Sequence, residues 1–288
     1  MAKAKIDIKQ EVTDRIVAAL EGGTAPWVKN WNGGTALGMP SNLSTGNAYR
    51  GVNVPLLWMA RADQNSTSDE WSTYKQAAAK GGQVRKGSTG TRIIFWRIID
   101  KGVDENGKEQ KMFLLRQYTV FNRDQIDGLP EVEVVEVSEV ERHARADAMI
   151  AAAGAKVAYG SSSASYSPTG DNIQMPAIEQ FDDEGSFYST LIHEHAHWTG
   201  HPTRLDRDLS GGFGSSAYGG EELIAELASA FVCATLGIEG ELQHEEYIGS
   251  WIKTMKADKN ALFGAMSKAA KAADFLTDFE EVALEDAA

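Results

Sequence analysis

A single cysteine, Cys233, stands in this chain of 288 residues, so no internal disulfide can staple it and a disulfide-framework fold is excluded. Cys233 falls in an apolar helical pattern, which fits a structural thiol in a reducing compartment such as the cytoplasm. Long hydrophobic runs are missing as well. The longest, Leu227 to Ile238, is too short to cross a bilayer, and the start, Met1-Ala-Lys-Ala-Lys-Ile-Asp, has basic residues but no apolar core of a signal peptide. Neither a membrane span nor a secretory leader is expected. Positive charge is scarce in one half: residues 129–288 hold 10 Lys and Arg against 28 Asp and Glu, a net of −18. Residues 1–128 hold 18 against 13, a net of +5. A net charge of −13 repels polyanions overall, yet at ordinary salt charge is screened beyond about 10 Å, so the basic half can still bind nucleic acid locally.

What is present suits a soluble protein with a real core, 42% hydrophobic and 24% charged, long enough for one large or two ordinary domains. No repeat of fixed period is apparent. Ile8, Val12, Ile16 and Leu20 recur every four residues over 7–20, a helix stopped by Gly22-Gly23. A loop region rich in Gly, Asn, Ser and Pro follows from Thr24 to Asn53. Short helices are read at 54–61 and at 72–80, the second capped by Ser72. Two β-branched and aromatic strands, 91–99 and 112–121, are joined by a polar connection whose Asn106-Gly107 is a hairpin turn signal. The charge sign changes between Asp127 and Val137, which divides the chain into domains 1–130 and 131–288. Ser138 and Glu141 form a capping box that opens a helix to about Ala153. Strands at 156–159, 164–167 and 172–175 and helices at 184–199, 221–236, 247–255 and 261–276 complete an α+β pattern.

His193-Glu194-His195-Ala196-His197 carries the chemistry. Residues i and i+4 lie above one another on a helix, so His193 and His197 can share one metal ion with Glu194 beside them. Catalytic zinc takes three protein ligands and keeps an open position for water. The three-His extension fails: Gly200 stands where the pattern wants Gly, but Thr203 occupies the third His position. His201 lies between Gly200 and Pro202, which argue that the helix has ended. Downstream, Glu222 and Glu226 share one helix face, so Glu222 is assigned to the metal and Glu226 to orienting a ligand imidazole through its other nitrogen, with Glu221 a rival ligand. Glu194 is the expected base, taking a proton from water activated by the metal. His195 is read as a packing residue, His143 and His244 as surface residues. Tyr218 and Tyr247 are candidate oxyanion donors, with nothing to separate them from ordinary tyrosines.

The basic half has its own signature. Trp27, Lys29, Trp31, Tyr49, Arg50, Trp71, Tyr74, Lys75 and Trp96 interleave aromatic faces with cations, as single-stranded nucleic acid binding demands. The segment from Gly81 to Arg92 adds Arg85, Lys86 and Arg92 on a Gly-rich loop able to meet phosphate.

Together these runs resemble a known family. Pro26-Trp27 and Trp31, Ser41-Asn42-Leu43, Gly46, Tyr49-Arg50-Gly51-Val52-Asn53, Trp71-Ser72-Thr73-Tyr74-Lys75-Gln76 and Val84-Arg85-Lys86-Gly87 are similar to the N-terminal domain of ArdC-type antirestriction proteins. That domain also fronts some plasmid primases. Pro176, Phe181, Tyr188, the His193 motif with Trp198, Gly200 and His201, and Glu221, Glu222 and Glu226 resemble the family's zincin-like metallopeptidase domain. The resemblance implies a protein of conjugative plasmids that binds single-stranded DNA and protects incoming DNA from host restriction. It implies Zn2+ as the ion, with another divalent metal such as Mn2+ as the alternative, Glu222 as the third ligand, and Asn172–Met175 as the edge strand along which a peptide substrate of the restriction machinery lies. Two other readings stay open: a cytosolic peptidase whose N-terminal domain recognises a protein, and a DNA-binding protein whose zincin domain is unused.

Overall fold

The first helix, α1 (Ile8–Glu21), buries Val12, Ile16, Val17 and Leu20 on one stripe and needs a partner for it. In the computed structural model, which describes residues 7–23, 25–27, 38–103, 109–131, 137–210, 216–239 and 245–286, that partner comes from the far end of the chain. α1 packs on α7 (Glu245–Ala257) and α8 (Lys259–Asp286). Lys9 Nζ donates to Asn260 Oδ1 at 2.7 Å, and Thr13 Oγ1 to the Lys259 carbonyl at 3.2 Å. The chain therefore does not divide linearly at residue 130. One unit is Pro40–Val132; the other joins Met1–Met39 to Glu133–Ala288. With the first 39 residues reassigned, residues 40–132 hold 13 Lys and Arg against 10 Asp and Glu.

The 40–132 unit is a four-stranded sheet in the order β1-β2-β5-β4, from β1 (Ser41–Asn42), β2 (Glu70–Thr73), β5 (Glu109–Asn122) and β4 (Thr91–Val103). Helix α2 (Asn53–Asp63) covers one face, where Leu57, Ala60, Trp71, Ile93 and Val120 form a core. The segment read as one helix over 72–80 splits. Trp71 and Ser72 are buried in β2 opposite Asn122 and Phe121, and only Tyr74–Ala79 is helical (α3), with Thr73 and Gln76 as its capping box. Burial in the sheet outweighs local propensity there. A two-stranded sheet of β3 (Gln83–Val84) and β6 (Ile126–Asp127) closes the unit. β4 and β5 run on as a ribbon well past the three residues of β5 that β2 pairs. The Asn106-Gly107 turn lies outside the described residues.

In the other unit α4 (Glu139–Ala153) starts where expected: Ser138 accepts from the Glu141 amide, and Gly154 ends the helix in the left-handed region at φ 70°. A three-stranded sheet has the order β7-β9-β8, from β7 (Lys156–Tyr159), β9 (Asn172–Met175) and β8 (Ser165–Ser167). β9 is paired on both sides, so Asn172–Met175 is the central strand; β8 is at the edge. Ile173 and Met175 alternate inward from β9 as its burial requires. Helices α5 (Glu184–Trp198) and α6 (Ser216–Leu236) pack on each other and on α8 around Leu191, Ile192, Leu227 and Leu236. His143 is buried, not on the surface: its Nδ1 lies 2.8 Å from Glu184 Oε2 and its ring packs on Tyr188. Among the described residues no helix is long and apolar enough to cross a membrane.

Candidate metal centre

Asp183 caps α5 by accepting from the Ser186 amide at 2.7 Å, and the helix runs to Trp198, so the H-E-x-x-H stretch forms its last turn. The i, i+4 spacing brings His193 Nε2 and His197 Nε2 to 3.2 Å. From α6, Glu222 faces both: its Oε2 is 3.5 Å from His193 Nε2 and its Oε1 is 3.5 Å from His197 Nε2. These three residues are buried and offer ligand atoms within 4.8 Å of one another. Four-coordinate zinc, with bonds near 2.1 Å, separates its ligand atoms by roughly 3.4 Å. The nitrogen–nitrogen distance and the distance from each nitrogen to its nearer Glu222 oxygen are close to that edge length, and two imidazole nitrogens with one carboxylate are a donor set suited to a divalent cation.

The carboxylates on the imidazoles' other nitrogens are divided between two residues. Glu226 Oε2 stands 3.7 Å from His193 Nδ1, and Glu221 Oε1 3.3 Å from His197 Nδ1. Such partners orient ligand imidazoles and raise their basicity. Glu221 is not turned to the donor triangle: Arg207 grips it with Nη2 at 2.6 Å from Oε1 and Nε at 3.0 Å from Oε2. Arg207 Nη1 also donates to Thr199 Oγ1 and Nη2 to the Ala196 carbonyl. A side chain at Gly200 would meet Arg207 Nη2 at 2.9 Å, so Gly200 serves this close approach. Arg207 lies in a loop, where no periodicity marks it.

Burial would drive the His197 imidazolium down, but Glu221 and Glu222 outweigh burial and hold it up, at about 10. Burial pushes the Glu222 carboxyl up, and His193 and His197 reverse this and hold it well below the ordinary range. The cluster thus stabilises positive charge at its centre, as a proton or as a metal ion. His195 points elsewhere, its Nδ1 donating to the Leu191 carbonyl at 2.7 Å, and burial pushes its pKa down to about 4. It is a neutral packing residue. His201 has left the helix and hydrogen-bonds Thr203 Oγ1 at 2.8 Å.

A cleft of about 340 Å³ opens over the donors, and Glu194, Tyr166, Tyr218 and Tyr247 line it with Ser165 of the β8 edge. The Tyr218 phenol is raised above its ordinary range by burial and by hydrogen bonds to Tyr247 and Glu222, so it stays a protonated donor beside the cluster. Arg204 staples the cleft wall. It stacks on Trp198 at 3.9 Å, donates to the Trp198 carbonyl at 2.6 Å and bonds Asp171, which accepts from Tyr166 Oη at 2.9 Å.

The nucleic-acid residues read from the sequence scatter. Trp27 is 5% exposed and packs on Trp251, ring centroids 6.1 Å apart, in the unit that holds the metal cluster. Trp71 is 1% exposed at the centre of the other unit's core, and Tyr49 packs half-buried against it. Large rings are worth more inside than in water. Arg85 is exposed, with Nη1 2.9 Å from Asp127 Oδ1. Arg50, Tyr74, Lys75, Lys86 and Arg92 are exposed. Lys29 and Trp31 lie outside the described residues, as does the Trp96 side chain.

A metal-ready HExxH helix with a carboxylate from the next helix defines a zincin-like metallopeptidase domain, and residues 144–268 match the family described as zincin-like metallopeptidase. Residues 6–121 match the N-terminal domain of anti-restriction factor ArdC. The chain is 41% identical to the antirestriction ArdC protein from plasmid R388, covering 96% of this chain and 98% of that one, with a TM-score of 0.81 to its metal-free structure and 0.78 to its Mn(II)-bound structure. It belongs to the ArdC antirestriction family. An uncharacterized protein, y4eC, of Sinorhizobium fredii is 39% identical over 94% of this chain and 91% of its own length. DNA primase TraC of Escherichia coli is 40% identical over 99% of this chain, which spans only 28% of the primase.

Proposed function

We propose that this chain is a cytoplasmic antirestriction protein whose 40–132 unit binds single-stranded DNA and whose second unit holds one divalent cation, protecting incoming plasmid DNA from host restriction. The observation that carries the metal assignment is the cluster of His193, His197 and Glu222, whose two imidazole nitrogens stand 3.2 Å apart and each 3.5 Å from a different oxygen of the Glu222 carboxylate. Zn2+ suits two imidazoles and a carboxylate; Mn2+ is supported by the Mn(II)-bound R388 protein. Glu226 and Glu221 hold the imidazoles, and Arg207 holds Glu221. A bound divalent cation would supply Lewis-acid activation of water and of a substrate carbonyl. Glu194 takes the proton of the attacking water, and Tyr218 donates to the oxyanion. A peptide of the restriction machinery would lie in the cleft along β8, whose edge lines it.

The test uses the full chain. Metal content by mass spectrometry falls from about one ion per chain to none in His193→Ala/His197→Ala, while Glu194→Gln keeps its ion. Unchanged metal content in a folded double variant sinks the assignment. Transfer of unmodified plasmid into a restricting host is expected to lose protection in Glu194→Gln; protection that survives this substitution is not provided by hydrolysis.

A further inference from the structure

The sheet face that carries the core of the 40–132 unit does not end where α2 ends. Ile93 and Val120 are buried beneath that helix, but the next residues on the same face, Phe95 and Tyr118, are 51% and 40% exposed. Their rings meet edge to face, centroids 6.0 Å apart. Arg116 is directly opposite Phe95 in the register and two residues before Tyr118, so its exposed guanidinium shares the face with both rings. Among the described residues no carboxylate pairs with Arg116. Two solvent-facing rings and a cation, set on paired strands rather than on a loop, make an exposed face that is both aromatic and cationic.

We infer that Phe95, Tyr118 and Arg116 form the platform on which the bases and backbone of single-stranded DNA rest. The inference deepens the proposed function and relies on it for the class of ligand. Unpaired bases expose π-faces that aromatic rings can stack on, and the guanidinium meets phosphate or stacks in turn. Paired bases in a duplex hide those faces, and a β-ribbon reads a duplex with polar side chains on base edges instead. A protein strand added along β4 is blocked at Ile94, whose N–H and carbonyl both bond the Asn53 side chain, at 2.8 and 2.7 Å. The platform also replaces Trp27 and Trp71, whose rings are buried.

The experiment is a fluorescence-anisotropy titration of the full chain with labelled oligo-dT of about 16 nucleotides, at two salt concentrations. Phe95→Leu and Tyr118→Leu keep apolar bulk but remove the π-face; each is expected to weaken binding about tenfold, while Phe95→Tyr and Tyr118→Phe stay within about twofold of the wild type. Arg116→Ala lowers the salt slope by about 0.7, one phosphate contact on a single strand. Far-ultraviolet circular dichroism shows each variant folded. If the wild type binds oligo-dT and both Leu variants bind it equally well, the platform is wrong and the single-strand reading stands. If the wild type binds no oligo-dT, or binds duplex more tightly, that reading fails and the platform with it.

Discussion

The metal cleft and the β4–β5 face treat their polar and aromatic groups in opposite ways. His193, Glu222 and Glu226 are 3%, 6% and 2% exposed, each facing another titratable group, because a cation is held best where few waters compete for it and where paired charges remain strong. Phe95 and Tyr118 are 51% and 40% exposed, which leaves their rings within reach of a long flexible ligand. The difference also separates tolerances. In the cleft, removing one member strands a buried charge; on the ribbon, removing one ring leaves a folded surface with less affinity.

Arg207→Ala is the substitution expected to strike hardest at stability. It leaves the Glu221 carboxylate buried beside His197 without its guanidinium, a loss of about 4 kcal/mol, read by thermal or urea denaturation. If the same loss appeared with single-strand binding also abolished, the two regions would not be independent. Trp27→Ala empties the contact with Trp251 and is expected to cost about 3 kcal/mol, with oligo-dT affinity unchanged. A large fall in oligo-dT affinity at full stability would restore Trp27 to the nucleic-acid surface. Arg85→Ala removes an exposed ion pair with Asp127 and is expected to cost under about 1 kcal/mol in denaturation, the smallest effect of the three.

Legibility in the sequence followed the range of the interaction. The H-E-x-x-H spacing needs only one helical turn, so His193 and His197 converge as read. The Glu222/Glu226 pair is also a single-helix pattern, and its face points to the histidines. Which of Glu221 and Glu222 turns inward depends on how α6 is rotated against α5, and Arg207 decides it by claiming Glu221. β9 is central because β8 folds back beside it, which no strand pattern announces.

Composition and periodicity by themselves determined an α+β protein without an internal disulfide, with an H-E-x-x-H turn that sets His193 and His197 side by side. These are properties of neighbouring residues: charge, volume and a period of 3.6. Only the tertiary structure decided that α1 belongs with the C-terminal helices and that Glu221 bonds Arg207. It likewise buried Trp27 and Trp71 and left Phe95 and Tyr118 outside. A side chain's burial depends on what is packed above it, and for α1 and Trp27 that neighbour comes from the far end of the chain.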